Sequence, residues 1–170
     1  MSRMVKGASV SEYVLSCEST VDLTPEKVKE LDLECIYFHF YIDGTEYADD
    51  LGQTVPFDKF YQAMKDGAET KTAAIGTGEY EAFFRGFLEQ GKDVLHVSLP
   101  SGISGTVESA RLAAQTLSAE FPDRTIHVVD SLAASSGFGL LMQALSELRA
   151  DGMTIDEVHD WAEAHKLNDW

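Results

Sequence analysis

The sequence predicts an α/β fold, a mostly parallel sheet with helices on both faces. Short runs dense in β-branched and aromatic residues alternate with longer runs whose apolar residues recur at helical spacing. Read in order, the elements are β-α-β-α-α-β-α-β-α-α, and strands separated by helices pair in parallel through crossovers. The chain has 170 residues, 44% of them apolar and only 4 of them Pro, enough for one core with no low-complexity linker or repeat.

Each element has its own signal. Residues 12–16 (Glu-Tyr-Val-Leu-Ser) read as a short strand. Thr24 and Pro25 mark a helix start, with Thr24 as N-cap and Pro25 at the first helical position; this helix ends near Leu31. Residues 35–42 are dense in aromatic and β-branched side chains and read as a central strand. Asp43-Gly44 is a tight-turn pair, so residues 45–47 fold back as a hairpin. Residues 56–64 carry Phe57, Phe60, Tyr61 and Met64 at helical spacing. Residues 71–77 read as a loop. The helix after it sets Tyr80, Phe83, Phe84, Phe87 and Leu88 on one stripe. Residues 93–99 form a strand, residues 101–105 a Gly/Ser loop, and residues 106–119 a helix in which Ala110, Ala113 and Ala114 permit close packing. A strand over 125–129 ends in Asp130. A second Gly/Ser stretch leads into a helix through Leu140, Leu141, Ala144, Leu145 and Leu148. Thr154-Ile155-Asp156-Glu157 is a capping box that opens the last helix.

Charge narrows the function classes. Acidic residues outnumber basic ones 29 to 13, a net charge of −16. A phosphate backbone needs a basic surface, so the composition argues against nucleic acid. It argues equally against a polybasic grip on anionic membranes. No apolar run approaches the ~20 residues of a membrane-spanning helix, and residues 1–7 lack the apolar stretch of a secretory signal. Cys17 and Cys35 are the only cysteines. With Cys17 closing one strand and Cys35 opening its parallel neighbour, the thiols fall at opposite ends of the sheet. Five residues at ~3.3 Å each place them beyond disulfide reach. The expectation is two reduced thiols in a cytoplasmic protein.

In a parallel sheet ligands bind beyond the carboxyl ends of the strands, where strand order reverses. Four loops lead there: residues 17–22, 71–77, 100–106 and 130–139. Three of them are rich in Ser, Thr and Gly. Pro100-Ser101-Gly102-Ile103-Ser104-Gly105-Thr106 lies between strand and helix. Gly102 and Gly105 allow close backbone approach, and free N–H groups with three hydroxyls suit an anionic oxygen. A glycine turn with Ser104 as N-cap reads the same residues equally well. The loop lacks the Gly-Lys-Ser/Thr of a nucleotide-binding loop. It is one residue short of a nucleophile elbow, with Thr106 in place of the second Gly. The chain order Ser104, Asp130, then His159 or His165 leaves a serine hydrolase or phosphotransferase on a flavodoxin-like sheet as the alternative function. His39, His96 and His127 fall mid-strand among apolar neighbours and read as core or edge histidines rather than metal ligands. Asp49-Asp50 reads as a solvated loop pair, and Arg111 as a surface partner.

At these loops the sequence resembles the DegV family of bacterial lipid-binding proteins. The carrying residues are Ser19-Thr20-Val21-Asp22-Leu23, Phe60-Tyr61, Lys71-Thr72, Ser101-Gly102-Ile103-Ser104-Gly105-Thr106 with Ser109-Ala110-Arg111, and Asp130-Ser131 with Ala134-Ser135, Gly137 and Gly139-Leu140-Leu141. The resemblance runs from about residue 12 to the end. It implies a two-lobed α/β protein with a long-chain fatty acid buried between the lobes. Such a protein presents the carboxylate to a separate fatty-acid kinase for phospholipid synthesis and catalyses nothing itself. Residues 1–170 then read as a single lobe, the N-terminal one of a longer chain. Alone, that lobe would expose apolar surface and self-associate. The resemblance places the carboxylate on Thr72 and on Ser101 with Gly102. Ala73, Ser104, Gly105, Thr106, Ser19, Thr20 and Ser135 complete the candidate ligand-binding set, with no metal or cofactor. Two departures stand out. Cys17-Glu18 replaces the family's Thr-Asp, and Thr72-Ala73-Ala74-Ile75-Gly76 replaces its Thr-Ser-Gln-Pro-Ser, so one loop hydroxyl is absent.

Overall fold

The computed structural model describes residues 12–167; the opening segment read as carrying no secretory signal lies outside them. Four strands form a parallel sheet in the order β2-β1-β6-β7, where β1 is Tyr13–Glu18, β2 Leu33–Ile36, β6 Asp93–Ser98 and β7 Ile126–Asp130. Every residue of β1 and β6 is buried, as befits central strands covered on both faces. Three further strands, β3 (His39–Ile42), β4 (Thr45–Ala48) and β5 (Thr70–Ala73), form a separate antiparallel sheet in the order β4-β3-β5.

Alternation along the parallel strands sends side chains to two cores. One face packs Leu15, Cys17, Leu95, Val97 and Val129 against Phe138, Leu141 and Leu145 of α5 (Ser135–Ala150) and Val158 and Ala162 of α6 (Ile155–His165). The other packs Ile36 and Val94 against Tyr80, Phe84 and Leu88 of α3 (Thr77–Leu88) and Ala110, Ala113 and Leu117 of α4 (Thr106–Glu120). The aromatic stripe is therefore core, with Phe83 and Phe87 only partly covered. Each fully buried side chain of this size contributes roughly 1.5–3 kcal/mol. Thr24 caps α1 (Pro25–Glu30) by accepting from the Lys27 N–H at 3.2 Å, and Thr154 and Glu157 complete the capping box of α6. Asp43 and Gly44 both have positive φ, the backbone of the hairpin turn between β3 and β4.

Three expectations are corrected. The run 35–42 is not one central strand. It stops at Ile36, on the edge of the parallel sheet, and resumes at His39 in the second sheet. Propensity cannot register the break, because both halves are equally rich in strand formers. Residues 71–77 are not all loop, since Thr70–Ala73 pairs antiparallel with β3, matching Phe40 to Thr72 and His39 to Ala73. The cysteines are not at opposite ends. β2 starts two residues earlier than its apolar run and aligns Leu33 with Leu15, so Cys35 falls directly opposite Cys17, with 3.4 Å between the sulfurs. Both thiols are free.

Candidate functional site

The strand order reverses at β1, whose neighbours β2 and β6 follow it on opposite sides. The crevice beyond the carboxyl ends of β1 and β6 is thus where a doubly wound sheet takes a ligand. Two open clefts lie here. The first, about 350 Å³, runs under the second sheet and is mainly apolar: Phe38, Phe40, Val55, Phe57, Phe60 and Tyr61 line it, with His39, Thr20 and Thr72. The second, about 470 Å³, is bounded by Ser19, Thr20, Leu23, Leu51, Leu99, Ile103 and Ser135. Thr20, Asp49 and Phe57 border both.

The apolar cleft exists because α2 (Phe57–Lys65) stands on the antiparallel sheet through one aromatic contact. Phe60 meets Phe40 edge-on, with ring centroids 5.2 Å apart. The helix buries no residue fully, and Phe57, Tyr61 and Met64 remain exposed. Gly52 lets this wall close: its φ is +80°, and a Cβ there would stand 3.1 Å from the Phe57 ring.

Two carboxylates, Glu18 and Asp130, hold the crevice in shape. Glu18, last in β1 and fully buried, accepts from Tyr80 Oη at 2.6 Å, Ser98 Oγ at 2.6 Å and the Leu99 N–H at 2.7 Å. His96 Nε2 lies 3.3 Å from the same carboxylate while its Nδ1 meets Ser16 Oγ at 3.0 Å, an arrangement satisfied by a proton on Nε2. Burial opposes the charge, but the bonds from His96, Ser98 and Tyr80 outweigh it and hold the carboxyl below its ordinary value of 4.5. Burial and the neighbouring Glu18 push the Tyr80 phenol far up, so it stays a donor. Asp130, at the end of β7, accepts from the Ser101 N–H at 3.2 Å and the Leu132 N–H at 3.3 Å, tying two site loops together. Burial again works against its charge, and the bonds from Ser101 and Leu132 prevail to lower its pKa. The sequence signal for Glu18 is its place in Cys17-Glu18, where the family that the chain resembles has Thr-Asp.

The predicted site residues fall into three groups. Ser19, Thr20 and Ser135 border the second cleft, and Thr20 and Thr72 the first. The Ser19 hydroxyl already accepts from the Phe38 N–H at 3.1 Å, which anchors the start of the second sheet. Thr20 Oγ1 is buried and, among the described residues, has no hydrogen-bond partner. Such an orphan costs about 1–3 kcal/mol unless a ligand or water meets it. Ser101, Gly102, Ser104, Gly105 and Thr106 belong to neither lining, nor does Ala73 of β5, and Thr106 is fully buried. Ser104 Oγ contacts Thr106 Oγ1 and accepts from the Thr106 N–H at 3.3 Å, so it acts locally at the start of α4. Nothing lies within 4 Å of a Cβ built on Gly102 or Gly105, which leaves their backbone open to an approaching group. Asp22, Leu51 and Ser135, all bordering the second cleft, hold left-handed φ values of 58°, 62° and 49°. Strain of this kind, about 1–3 kcal/mol per residue, gathers at functional sites.

All five histidines are engaged away from Ser104. His96 is in the Glu18 cluster. His39 bridges Glu46 at 3.1 Å and Glu79 at 2.6 Å. His127 stacks on His159 at 4.1 Å, and His165 stacks on Trp161 at 4.4 Å. Arg111 pairs with Glu108 at 2.6 Å on the surface. Asp50 is not merely solvated, because it accepts from the Gln53 N–H at 2.9 Å and from Thr54.

Comparison with known proteins agrees with this architecture. The family described as "Uncharacterised protein, DegV family" matches residues 15–169. A DegV domain-containing protein of Clostridium perfringens is 31% identical over 157 residues, covering 92% of this chain and 54% of that protein. One of Streptococcus pyogenes is 31% identical over 152 residues, covering 89% and 53%. The chain thus spans about half the length of the curated relatives it matches. Among solved structures, a stearic-acid-binding protein from Eubacterium ventriosum superposes with a TM-score of 0.79 at 28% identity, covering 89% of this chain and 52% of that one. A fatty-acid-binding DegV family protein from Thermus thermophilus gives 0.78 at 29%, covering 91% and 53%. The Streptococcus pneumoniae Fatty Acid Kinase (Fak) B3 protein, loaded with linoleic acid, gives 0.77 at 25%, covering 91% and 54%. With the family match running across nearly all of the described fold, the chain belongs to the DegV family.

Proposed function

We propose that this chain is a fatty-acid-binding lobe. It holds the acyl chain along the apolar cleft, keeps the carboxylate among site hydroxyls, and presents it to a separate fatty-acid kinase for phospholipid synthesis. The observation that carries this reading is the buried, unpartnered Thr20 hydroxyl at the junction of an aromatic cleft and the strand-end crevice. A single carboxylate with a long apolar tail matches one orphan donor beside a greasy wall. A triphosphate would demand Lys or Arg and a metal-binding carboxylate instead. The fatty acids bound by relatives that share this fold support the same ligand class. Both clefts are open, so this lobe supplies one wall of the acyl site and a second lobe the other. Ile103, Leu132 and Leu140 are exposed apolar residues, and left uncovered they favour self-association. No described helix is long and apolar enough to cross a membrane. Service to a kinase of phospholipid synthesis puts the carrier in the cytoplasm.

Two hydroxyl deletions test the seat of the head group. Thr72→Val removes a bond to a charged oxygen, worth roughly 1.5–3 kcal/mol, so fatty-acid affinity falls about tenfold to a hundredfold. Thr20→Val has a double signature: weaker lipid binding, together with an apo-protein stabilised by about 1–3 kcal/mol because the orphan polar atom is gone. Titration with palmitic acid and urea unfolding of the lipid-free protein read both effects. Unchanged affinity in both variants would place the carboxylate elsewhere.

The carrier reading also makes Ser104 a structural hydroxyl rather than a nucleophile, since every histidine that might activate it is engaged elsewhere. A fluorophosphonate probe should leave Ser104 unlabelled. Stoichiometric labelling there would favour the hydrolase.

A further inference from the structure

Cys17 and Cys35 sit side by side on adjacent parallel strands, on the face that packs against α5 and α6. Directly paired residues of neighbouring strands have Cα atoms about 4.8 Å apart, within the span that a disulfide bridges. Their sulfurs are already 3.4 Å apart, so closing to bond length needs a combined movement of roughly 1.4 Å. The two thiols differ in access. Cys17 is completely buried, whereas Cys35, on edge strand β2, is partly exposed. An oxidant therefore meets Cys35 first, and Cys17 waits behind it. The neighbouring Cys35, together with burial, pushes the Cys17 thiol up, so Cys17 stays protonated and inert until a partner is activated.

We propose that this pair is an oxidative modification site, closing to a reversible intramolecular Cys17–Cys35 disulfide on exposure to a peroxide. The Cys35 thiolate attacks one peroxide oxygen. The O–O bond breaks, the departing hydroxide takes up the proton that the Cys35 thiol gave to solvent and leaves as water, and Cys35 becomes a sulfenic acid. The Cys17 sulfur then attacks the Cys35 sulfur, the S–O bond breaks, and a second water leaves with the Cys17 proton. Two thiols are oxidised by two electrons, and one peroxide is reduced to two waters. Strand alternation points Glu18 to the opposite face of β1, so the crosslink forms without touching the carboxylate cluster. The inference is independent of the lipid reading.

The test oxidises the whole chain with hydrogen peroxide, unfolds it in iodoacetamide and measures the intact mass. The expected product is a monomer lighter by two hydrogens that takes up no alkyl group and is restored by dithiothreitol. Lys27 and Lys29 separate the cysteines, so tryptic peptides joined by a bond cleaved on reduction locate it. Cys17→Ala should leave Cys35 as a sulfenic acid that dimedone traps, and Cys35→Ala should leave Cys17 unoxidised. If the first variant does not fold, the wild type still decides. Alkylation of both wild-type thiols at a peroxide dose that oxidises Cys35 in Cys17→Ala, a dimedone adduct on wild-type Cys35 without crosslinked peptides, or a disulfide-linked dimer would each overturn the proposal.

Discussion

Glu18→Ala should be among the most destabilising single changes in the molecule, on the order of 3–5 kcal/mol. The loss exceeds that of one bond because truncation strands the Tyr80 phenol, the Ser98 hydroxyl, the Leu99 N–H and His96 together in a site without water access. With a urea m-value of about 1–3 kcal/mol/M, the unfolding midpoint drops by roughly 2 M. Glu18→Gln keeps the shape but turns an amide donor toward these donors, so it loses less. The pH dependence follows from the direction of the shift. The carboxyl titrates below 4.5 in the folded protein, so its contribution is complete above 4.5 and disappears as pH falls through the lowered folded value. The stability gap between wild type and Glu18→Gln should therefore be wide at neutral pH and narrow progressively as pH falls below 4.5. A gap that stays constant across that range would mean the carboxylate is not held charged.

The second large effect lies at Gly139, where α5 crosses the short 3-10 turn Ser19–Val21 after β1. A Cβ at Gly139 would meet Leu23 Cδ2 at 3.0 Å and the Val21 carbonyl at 3.2 Å. The first neighbour can swing away; the second is backbone of the turn that carries Thr20. Gly139→Ala combines this squeeze with a gain in helix propensity of about 1 kcal/mol, so its net effect is small. Gly139→Leu has no room. Overpacking costs about 1–3 kcal/mol or more, a fall in Tm of roughly 5–10 °C for a domain of this size. Displacement of the turn should also weaken palmitate binding beyond what Thr20→Val alone does. Thermal scans and lipid titrations of the two variants check this. A Gly139→Leu protein with wild-type Tm and affinity would show that the turn yields freely.

What the sequence reveals and what it hides divide along a physical line. Thr24-Pro25, Asp43-Gly44 and Thr154-Ile155-Asp156-Glu157 act within one turn of chain, and each capped or turned as read. The stripe from Tyr80 to Leu88 is periodic and packs as periodicity requires. The break after Ile36 has no local cause, since Tyr37 and Phe38 are strand formers. It coincides with a non-local contact, the Phe38 N–H donated to the Ser19 hydroxyl 19 positions away. Register is equally non-local, and a shift of strand onset by two residues brought the cysteines together. Hydroxyl-rich loops flagged the strand-end crevice. Apolar residues scattered over Phe40, Val55, Phe57 and Phe60 converge only in three dimensions, and a lone Glu among strand residues gives no hint of four partners.

The small antiparallel sheet has a further consequence. None of its residues is fully buried, nor is any in α2. Its hydrogen-bonded ties to the rest of the fold include the Phe38 N–H donated to Ser19 of the 3-10 turn and the His39–Glu79 pair with α3. Such a unit is expected to open at a small fraction of the global unfolding free energy, on the microsecond-to-millisecond scale. With the acyl chain beneath it as proposed, the ligand should leave while β1 and β6 remain intact. Residence time and fold stability then become separate properties: tightening the core around Leu95 or Phe84 raises resistance to urea without slowing departure, whereas a change at Phe40, Phe60 or His39 alters departure and leaves the melting temperature almost untouched.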